Sequence, residues 1–358
     1  MLIKNILLHL KFILFCFLRP ACEIYARISG RKCYCDVFNN PRHIRSLHIN
    51  CDGSLTCNCN DSLGLGKLGN VLTEASFSSI WNNAKAVKLR NAFIKNRIPL
   101  IICPTCRSFK ILPAQACAGI SSGVQLSAPK IRDLNIENTV LCNYNCGGCN
   151  RKAVYSLRGK DSLSLEDFQV IFSVFDGVDI ESIGLHNLGE PSLHKEFAEQ
   201  LKLVRERRPH STIFFSTNGS FVNNDKIREA IVRYVDHIHF SIDGTDQKTA
   251  QIYQVGIDFD QVVENLRNLV IFRDASGNKR LEIYWKCVLF WWNDRNIQIE
   301  KLIRMAREIK VDGIYFTKAK NPLFCNPVHW IWKEKMYKRR FHLVTTEWGD
   351  LVLRLNLP

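Results

Sequence analysis

The sequence predicts an α/β protein. A partial (β/α)6 barrel occupies residues 131–320, behind a small cysteine-rich α+β domain at residues 31–116. Three observations predict this. From residue 131 onward, short apolar β-leaning runs alternate with longer runs of helical period, as parallel strands with crossover helices require. Residues 117–130 turn to Ala, Ser and Gly and end at Pro129, which reads as a linker between domains. Many of the 15 cysteines sit at close spacings, C-x-C, C-x2-C and C-x3-C-x2-C, on either side of that linker.

The 358 residues have room for one large domain and a smaller one. Hydrophobic content of 46% and charged content of 23% are ordinary for a globular chain, and no fixed-period repeat is visible, so fibrous and disordered classes are excluded. A disulfide scaffold would be shorter and would need export. Clustered cysteines in a chain of this length point instead to metal or cluster binding in a reducing compartment, the cytoplasm. The formal net charge of +15 favours phosphate-bearing or otherwise acidic partners, or an anionic membrane surface. Charge alone does not choose among nucleotide-linked sugar, polyprenyl phosphate, lipid and nucleic acid; nucleic acid is the least expected of these.

Residues 1–30 read as an N-terminal apolar and basic helix. Phe12 to Leu18 is apolar, but Lys11 interrupts the run, and what remains is shorter than the roughly 20 residues a bilayer span takes. No small-x-small cleavage site follows cleanly. With Lys4, His9, Lys11 and Arg19 around it, the stretch fits an amphipathic helix lying on the protein's own core, on a partner or on a membrane surface.

In the cysteine-rich domain, Cys33 and Cys35 come first. Ser46–Asn50 then alternates as a strand, Cys51-Asp52-Gly53-Ser54 turns the chain, and Cys57 and Cys59 lie on the return. Gly64–Gly69 reads as a loop and Ser76–Arg90 as a helix. Cys103-Pro-Thr-Cys106 is a tight bend. A hairpin with thiols at one end and a distant C-x2-C bend can place four sulfurs tetrahedrally, around a cluster or a structural zinc ion. Cys117, in the linker, reads as a buried free thiol.

The barrel strands are expected at Leu134–Leu141, Asp179–Leu185, Thr212–Ser216, His237–Ile242, Leu281–Phe290 and Gly313–Thr317. Helices are expected at Leu165–Phe175, Leu193–Arg207, Asn224–Tyr234, Phe259–Asp274 and Ile297–Ile309. Six such units make three-quarters of a TIM-like barrel, with ligands at the carboxyl ends of the strands. Residues 321–358 read as a capping segment. It holds Cys325, a basic run from Lys333 to Arg340, and a strand pair, Phe341–Thr345 with Leu351–Leu355.

The chemistry gathers at those strand ends. Cys142, Cys146 and Cys149 stand in an Asn- and Gly-rich loop after the first strand. Three thiolates around a four-iron cluster leave one iron open to a small molecule, whereas structural zinc takes four ligands, usually in C-x2-C pairs. After the second strand come Gly189 and Glu190. Asn218 follows the third, and Ser241 and Asp243 follow the fourth. Short polar side chains there can hold hydroxyl, ammonium and carboxylate groups, or simply make turns. Lys286 on the fifth strand and Cys325 in the tail are candidate reacting groups, with surface and core roles as the plainer readings. Trp291 and Trp292 stack a sugar or base, or close the barrel.

The C-x3-C-x2-C loop, with Gly189-Glu190-Pro191 behind it, resembles the radical S-adenosylmethionine (radical SAM) superfamily. The resemblance implies a [4Fe-4S] cluster on Cys142, Cys146 and Cys149. S-adenosylmethionine chelates its open iron and is cleaved to a 5′-deoxyadenosyl radical. Gly189 and Glu190 would hold the methionine ammonium, with Asn218, Ser241 and Asp243 seating the ribose and carboxylate. Gly148 departs from the aromatic residue often found before the third cysteine, which leaves Tyr144 as a guess for packing the adenine. Leu188 departs from the first Gly of the family's Gly-Gly-Glu-Pro.

The cysteine-rich domain resembles the SPASM or twitch auxiliary-cluster extension, here ahead of the core rather than behind it. Asp52-Gly53, Leu68–Val71, Ile80-Trp81, Leu89-Arg90 and the closing C-x2-C carry that likeness. It implies one auxiliary [4Fe-4S] cluster on Cys35, Cys57, Cys103 and Cys106, with Cys33 and Cys59 as alternatives. The expected function is hydrogen abstraction from a small polar substrate, a sugar, cyclitol or nucleotide-linked compound, fed by a flavodoxin- or ferredoxin-like electron donor. Maturation of a ribosomally made peptide or protein is the runner-up, and a non-catalytic Fe–S or zinc scaffold is the alternative of another class.

Overall fold

The computed structural model describes residues 17–40, 43–57, 61, 63–117, 130–319, 327–346 and 349–355. Cys59, Cys325, the start of the N-terminal segment and linker residues 118–129 lie outside the described residues. The chain divides into two compact units, Met1–Ile136 with Glu166–Ile183, and Glu137–Leu165 with Gly184–Pro358.

The first unit begins with helical residues 17–28 (α1). The strands β1 (Arg31–Cys35), β2 (Ile44–Ile49), β3 (Ser54–Thr56) and β4 (Lys67–Asn70) follow. Then come the helices α2 (Phe77–Trp81) and α3 (Ala84–Ile94), and the strands β5 (Phe109–Pro113) and β6 (Lys130–Ile136). The hairpin expected around Asp52-Gly53 is present. Gly53 has φ 79° and the Asp52 carboxylate accepts the Ser54 N–H at 3.0 Å, so β2 and β3 pair antiparallel. β2 also runs parallel to β6.

Three features of this unit differ from the sequence reading. The Gly64–Gly69 run yields the strand β4, antiparallel to β3, because the hairpin supplies it with an edge. The single helix expected over 76–90 is two helices, since the Asn83 side chain turns back to cap Ala86 N–H at 2.9 Å. The strand β1 pairs antiparallel with β5, with Cys35 opposite Phe109.

The short helix α4 (Arg151–Tyr155) belongs to the second unit, and α5 (Leu165–Val174) and most of β7 (Asp179–Leu185) to the first. The second unit continues with α6 (Phe197–Arg207), β8 (Thr212–Thr217), α7 (Asp225–Tyr234), β9 (His237–Ser241), α8 (Gln247–Ala250) and α9 (Phe259–Ser276). It ends with β10 (Glu282–Leu289), α10 (Asn296–Ile309), β11 (Gly313–Lys318), α11 (Pro327–Phe341), β12 (Val344–Thr345) and β13 (Leu351–Arg354). β8, β9, β10 and β11 are neighbours in sequence order, each parallel to the next. Antiparallel β13 and β12 extend the edge beyond β11. The α/β class with a parallel sheet is therefore as expected, in the strand–helix succession of a partial barrel.

Period-two alternation sorts these strands. Ile213, Phe215, Ile238, Phe240, Ile283, Trp285, Ile314 and Phe316 are buried on one face. Phe214, Ser216, His239, Ser241, Lys286, Tyr315 and Thr317 occupy the half-buried other face. Asn224 and Asp258 cap α7 and α9 with their side chains, and Gly277 (φ 70°) ends α9 in the left-handed conformation.

Two boundaries moved here. The first barrel strand stops at Ile136 rather than Leu141, because the next backbone groups bond elsewhere. Leu163 N–H donates to Asn138 O and Val140 N–H to Asp161 O, each at 2.8 Å, and the Thr139 hydroxyl accepts Leu141 N–H. In the tail, Phe341 ends a helix rather than starting a strand, and His342 turns the chain at φ 54°.

Candidate functional site

The loop Cys142–Cys149 is pinned from several directions, all within the second unit. Asn145 N–H donates to Val255 O and Gly147 N–H to Tyr253 O, both at 2.8 Å. Arg151 donates to Tyr144 O at 3.2 Å. Tyr144 is buried and its hydroxyl bonds Ser220 at 3.0 Å, so it is part of the loop's support. Asn218 Nδ2 donates to Asn143 Oδ1 at 2.7 Å and reaches Cys142 Sγ at 3.8 Å, while Tyr144 N–H points at the same sulfur from 3.4 Å.

The three thiols are half-buried. Burial first, then Cys149, Asp243 and Cys142, push Cys146 up to about 12. Burial also raises Cys142, against the Tyr144 N–H. Left to themselves these two are neutral thiols at pH 7, so they become thiolates when a cation displaces their protons. Among the described residues no three His, Cys, Asp or Glu side chains close around a single metal ion. A multi-iron cluster does not require that, since it holds its sulfurs wider apart than one ion does.

Gly189 and Glu190 join this loop to the end of β8. A Cβ on Gly189 would lie 2.0 Å from Thr139 O and 2.9 Å from Leu141 O, so only glycine fits there. Glu190 N–H donates to Leu141 O at 2.8 Å. Its carboxylate is buried and unequally occupied. Oε1 accepts Ser192 N–H (3.1 Å), Ser192 Oγ (2.5 Å) and Thr217 Oγ1 (2.7 Å), while Oε2 accepts Asn218 N–H at 2.6 Å. Burial raises the Glu190 pKa, and these four donors oppose the rise.

Asp243 is buried at the end of β9. Its Oδ1 accepts Val288 N–H at 2.7 Å, and its own N–H is held by Gln254 at 2.8 Å. Burial pushes its carboxyl up to about 7, with the Val288 N–H and Lys286 pulling the other way. Ser241 O accepts from Gln254 at 2.7 Å, and Ser241 pairs in register with Lys286, which faces Tyr315 on its other side. The Lys286 ammonium makes no hydrogen bond or ion pair among the described residues.

Beneath Lys286, His239 packs against Tyr315 (4.7 Å between ring centres) and Tyr284 (5.6 Å), and His186 against Phe214 (5.2 Å). Burial, then Lys286, lowers His186 to about 3 and pushes His239 well down, so both rings are neutral. His186 Nδ1 is buried without a hydrogen-bond partner among the described residues.

The first unit holds a second thiol group. The neighbours that raise Cys57 are Cys35, Cys103, Asp61 and Cys106, after its burial. Cys35 likewise feels Cys106 and Cys103, and burial pushes Cys103 up to about 12. Cys103-Pro-Thr forms a 3-10 turn with Cys106 N–H donating to Cys103 O at 2.9 Å. Asp61 accepts the N–H groups of Leu65 (2.8 Å) and Gly66 (2.5 Å), and a Cβ on Gly66 would lie 2.8 Å from Cys57 Sγ. The charged neighbours of Cys33 are Glu23 and Cys22 instead. Cys117 is free and half-buried.

The structure thus gathers Cys142, Cys146, Gly189, Glu190 and Asn218 around one loop, with Asp243 near Cys146 and Lys286 near Asp243. Sequence reasoning missed Ser220 and the interior rings His186, His239, Phe214, Tyr284 and Tyr315. The alternation of β8 and β9 (Phe214, Ser216; His237, His239, Ser241) was the available signal for the interior face.

Two family models match the chain. Residues 136–271 match the radical SAM superfamily and residues 35–107 the SPASM iron–sulfur cluster-binding domain. The chain is similar to a tungsten-containing aldehyde ferredoxin oxidoreductase cofactor-modifying protein of Pyrococcus furiosus, 23% identical over 185 residues, covering 51% of this chain and 49% of that one. It is also similar to a GTP 3′,8-cyclase of Cronobacter sakazakii, 29% identical over 185 residues, 48% of this chain and 54% of that one. The chain spans about half the length of these curated relatives. The crystal structure of Streptococcus suis SuiB bound to S-adenosylmethionine aligns at TM-score 0.45 and 14% identity, over 82% of this chain and 69% of that one, too loosely to support more.

Proposed function

This chain belongs to the radical SAM superfamily, with a SPASM domain ahead of its core, and from that premise we propose that it generates a radical from S-adenosylmethionine to abstract hydrogen from a small polar substrate. Cys142, Cys146 and Cys149 would hold a [4Fe-4S] cluster, which would supply the electron that cleaves the sulfonium and an iron free for the amino and carboxylate groups of S-adenosylmethionine. The observation that supports this reading best is the uneven load on Glu190. Three donors sit on Oε1 and one on Oε2, leaving Oε2 a lone pair to accept an N–H of the methionine amino group. Gly189 lets this segment pass against the Thr139 carbonyl beside the thiol loop. Asn218, Ser241 and Asp243 seat the ribose and carboxylate.

The reaction is an oxidation or related modification of a sugar, cyclitol or nucleotide-linked compound. Cys35, Cys57, Cys103 and Cys106 hold an auxiliary cluster, suited to taking the second electron. The Lys286 ammonium, unpaired among the described residues, and the interior rings fit a polar substrate with an anionic group, and similarity to a GTP cyclase agrees with a nucleotide link. A flavodoxin or ferredoxin supplies electrons.

The test is anaerobic reconstitution of the full chain with iron and sulfide, then reduction with dithionite. Methionine and 5′-deoxyadenosine should appear in equal amounts, faster with a nucleotide-linked sugar than with a short peptide. Stimulation by peptides alone would move the assignment to peptide maturation. No 5′-deoxyadenosine from a fully loaded protein would end the proposal.

A further inference from the structure

The helix α1 is set against its unit with the wrong face outward for a soluble core. Phe17, Ile24, Tyr25 and Ile28 are 70%, 55%, 53% and 81% exposed, and Ala21 is exposed with them. Phe17, Ala21, Ile24 and Ile28 recur at steps of four, three and four, which is one stripe of a helix. The opposite side is turned inward, with Leu18 and Cys22 half-buried. Glu23 accepts the Ile98 N–H at 2.7 Å, Arg19 pairs with Glu23 at 3.9 Å, and Ala26 is fully buried. The helix is therefore anchored by Ala26 and the Glu23 carboxylate, and its larger apolar stripe is left open.

We propose that this stripe docks α1 on an anionic lipid bilayer, lying in the interface plane. Charge selects that occupant. From residue 1 to Cys35 the basic residues are Lys4, Lys11, Arg19, Arg27, Arg31 and Lys32, and Glu23 is the single acidic one, with its carboxylate turned onto Ile98. Arg27 on the helix and Arg31 and Lys32, which follow it in the sequence, are exposed. Apolar side chains flanked by cations are the pattern of interfacial helices. A second copy of the chain would bring the same cations against each other. The sequence ahead of α1 keeps the spacing, with Ile3, Ile6, Leu7, Leu10, Ile13 and Leu14 leading into Phe17. Among the described residues no helix is long and apolar enough to cross a membrane.

The experiment is co-sedimentation of the full chain, purified anaerobically with its clusters, with vesicles of phosphatidylcholine alone or with a quarter phosphatidylglycerol. The protein should bind the anionic vesicles roughly tenfold or more tightly than the neutral ones and release in high salt. The double variant I24S/I28S removes two exposed side chains. It should lose roughly tenfold or more of that binding while its iron content and melting temperature stay put. Absence of vesicle binding by the unaltered chain, or equal binding by the double variant, overturns the proposal. A dimer that I24S/I28S converts to monomer, without vesicle binding, would reassign the face to contact between copies. None of these outcomes depends on radical chemistry.

Discussion

The two thiol groups of this protein share a ligand type and differ in their surroundings. Cys35, Cys57 and Cys103 are buried with Cys106 half-buried, and each of the four has another of the set for a neighbour. Cys142, Cys146 and Cys149 are all half-buried and have Asn218, Glu190 and Asp243 about them, with no fourth sulfur beside them among the described residues. A closed set of four satisfies a cluster completely and leaves it to store or pass electrons. A set of three with polar company leaves one position for a ligand and the groups to orient it. The difference assigns proposed roles that the cysteine types alone do not.

Mutations break this comparison in graded ways. Cys146→Ala should abolish 5′-deoxyadenosine formation, by roughly a thousandfold or more, and remove about four irons per chain. Cys57→Ala should also remove about four irons, yet leave substrate-free cleavage of S-adenosylmethionine within a few-fold of the unaltered protein. Chemical iron analysis and chromatography of the nucleoside product check both, and equal loss of cleavage in the two variants would erase the distinction.

Gly189→Ala tests the scaffold of the open site. Its methyl must displace the Thr139 carbonyl 2.0 Å away, at a cost of roughly 3 kcal/mol or more in urea unfolding. Glu190→Gln keeps the size but sets an amide where two oxygens accept four donors, so S-adenosylmethionine affinity should fall roughly ten- to a hundredfold. Equilibrium dialysis measures it.

The smallest effect concerns the interior. His186 and His239 bind protons less well folded than unfolded. Their contribution to stability is full above the ordinary pKa of 6.5 and is lost as pH falls toward about 3 for His186. The slope is at most about 1.4 kcal/mol per pH unit for each ring. Urea midpoints of the cluster-free protein at pH 7 and pH 5 should differ, and His186→Gln should narrow the gap.

Much of the barrel was legible because both strand and helix periods are strong from residue 179 on, and β7 was placed at its observed bounds. What failed was local. Leu134–Leu141 looks like a continuous strand, but the Leu163 N–H, the Asp161 carbonyl and the Thr139 hydroxyl take its last groups out of the ladder. Phe341 looked like strand and ends a helix, because its helical neighbours are basic and carry little apolar period. The pairing of β1 with β5 joins residues far apart in sequence, which local pattern cannot report. In the site, Gly189-Glu190-Pro191 was visible as a motif, yet the reason for its glycine, the Thr139 carbonyl, comes from a distant segment. The interior rings were hidden because strand faces bearing Phe, His and Tyr read as core.

The most direct measurement of the central claim is the electron paramagnetic resonance spectrum of the reduced protein with and without S-adenosylmethionine, in the Cys57→Ala background so that the three-thiol site is seen alone. The account predicts a cluster signal whose shape changes when the sulfonium compound is added, and no such signal once Cys146→Ala is combined with it. A signal indifferent to S-adenosylmethionine, or one that survives the loss of Cys146, would contradict it.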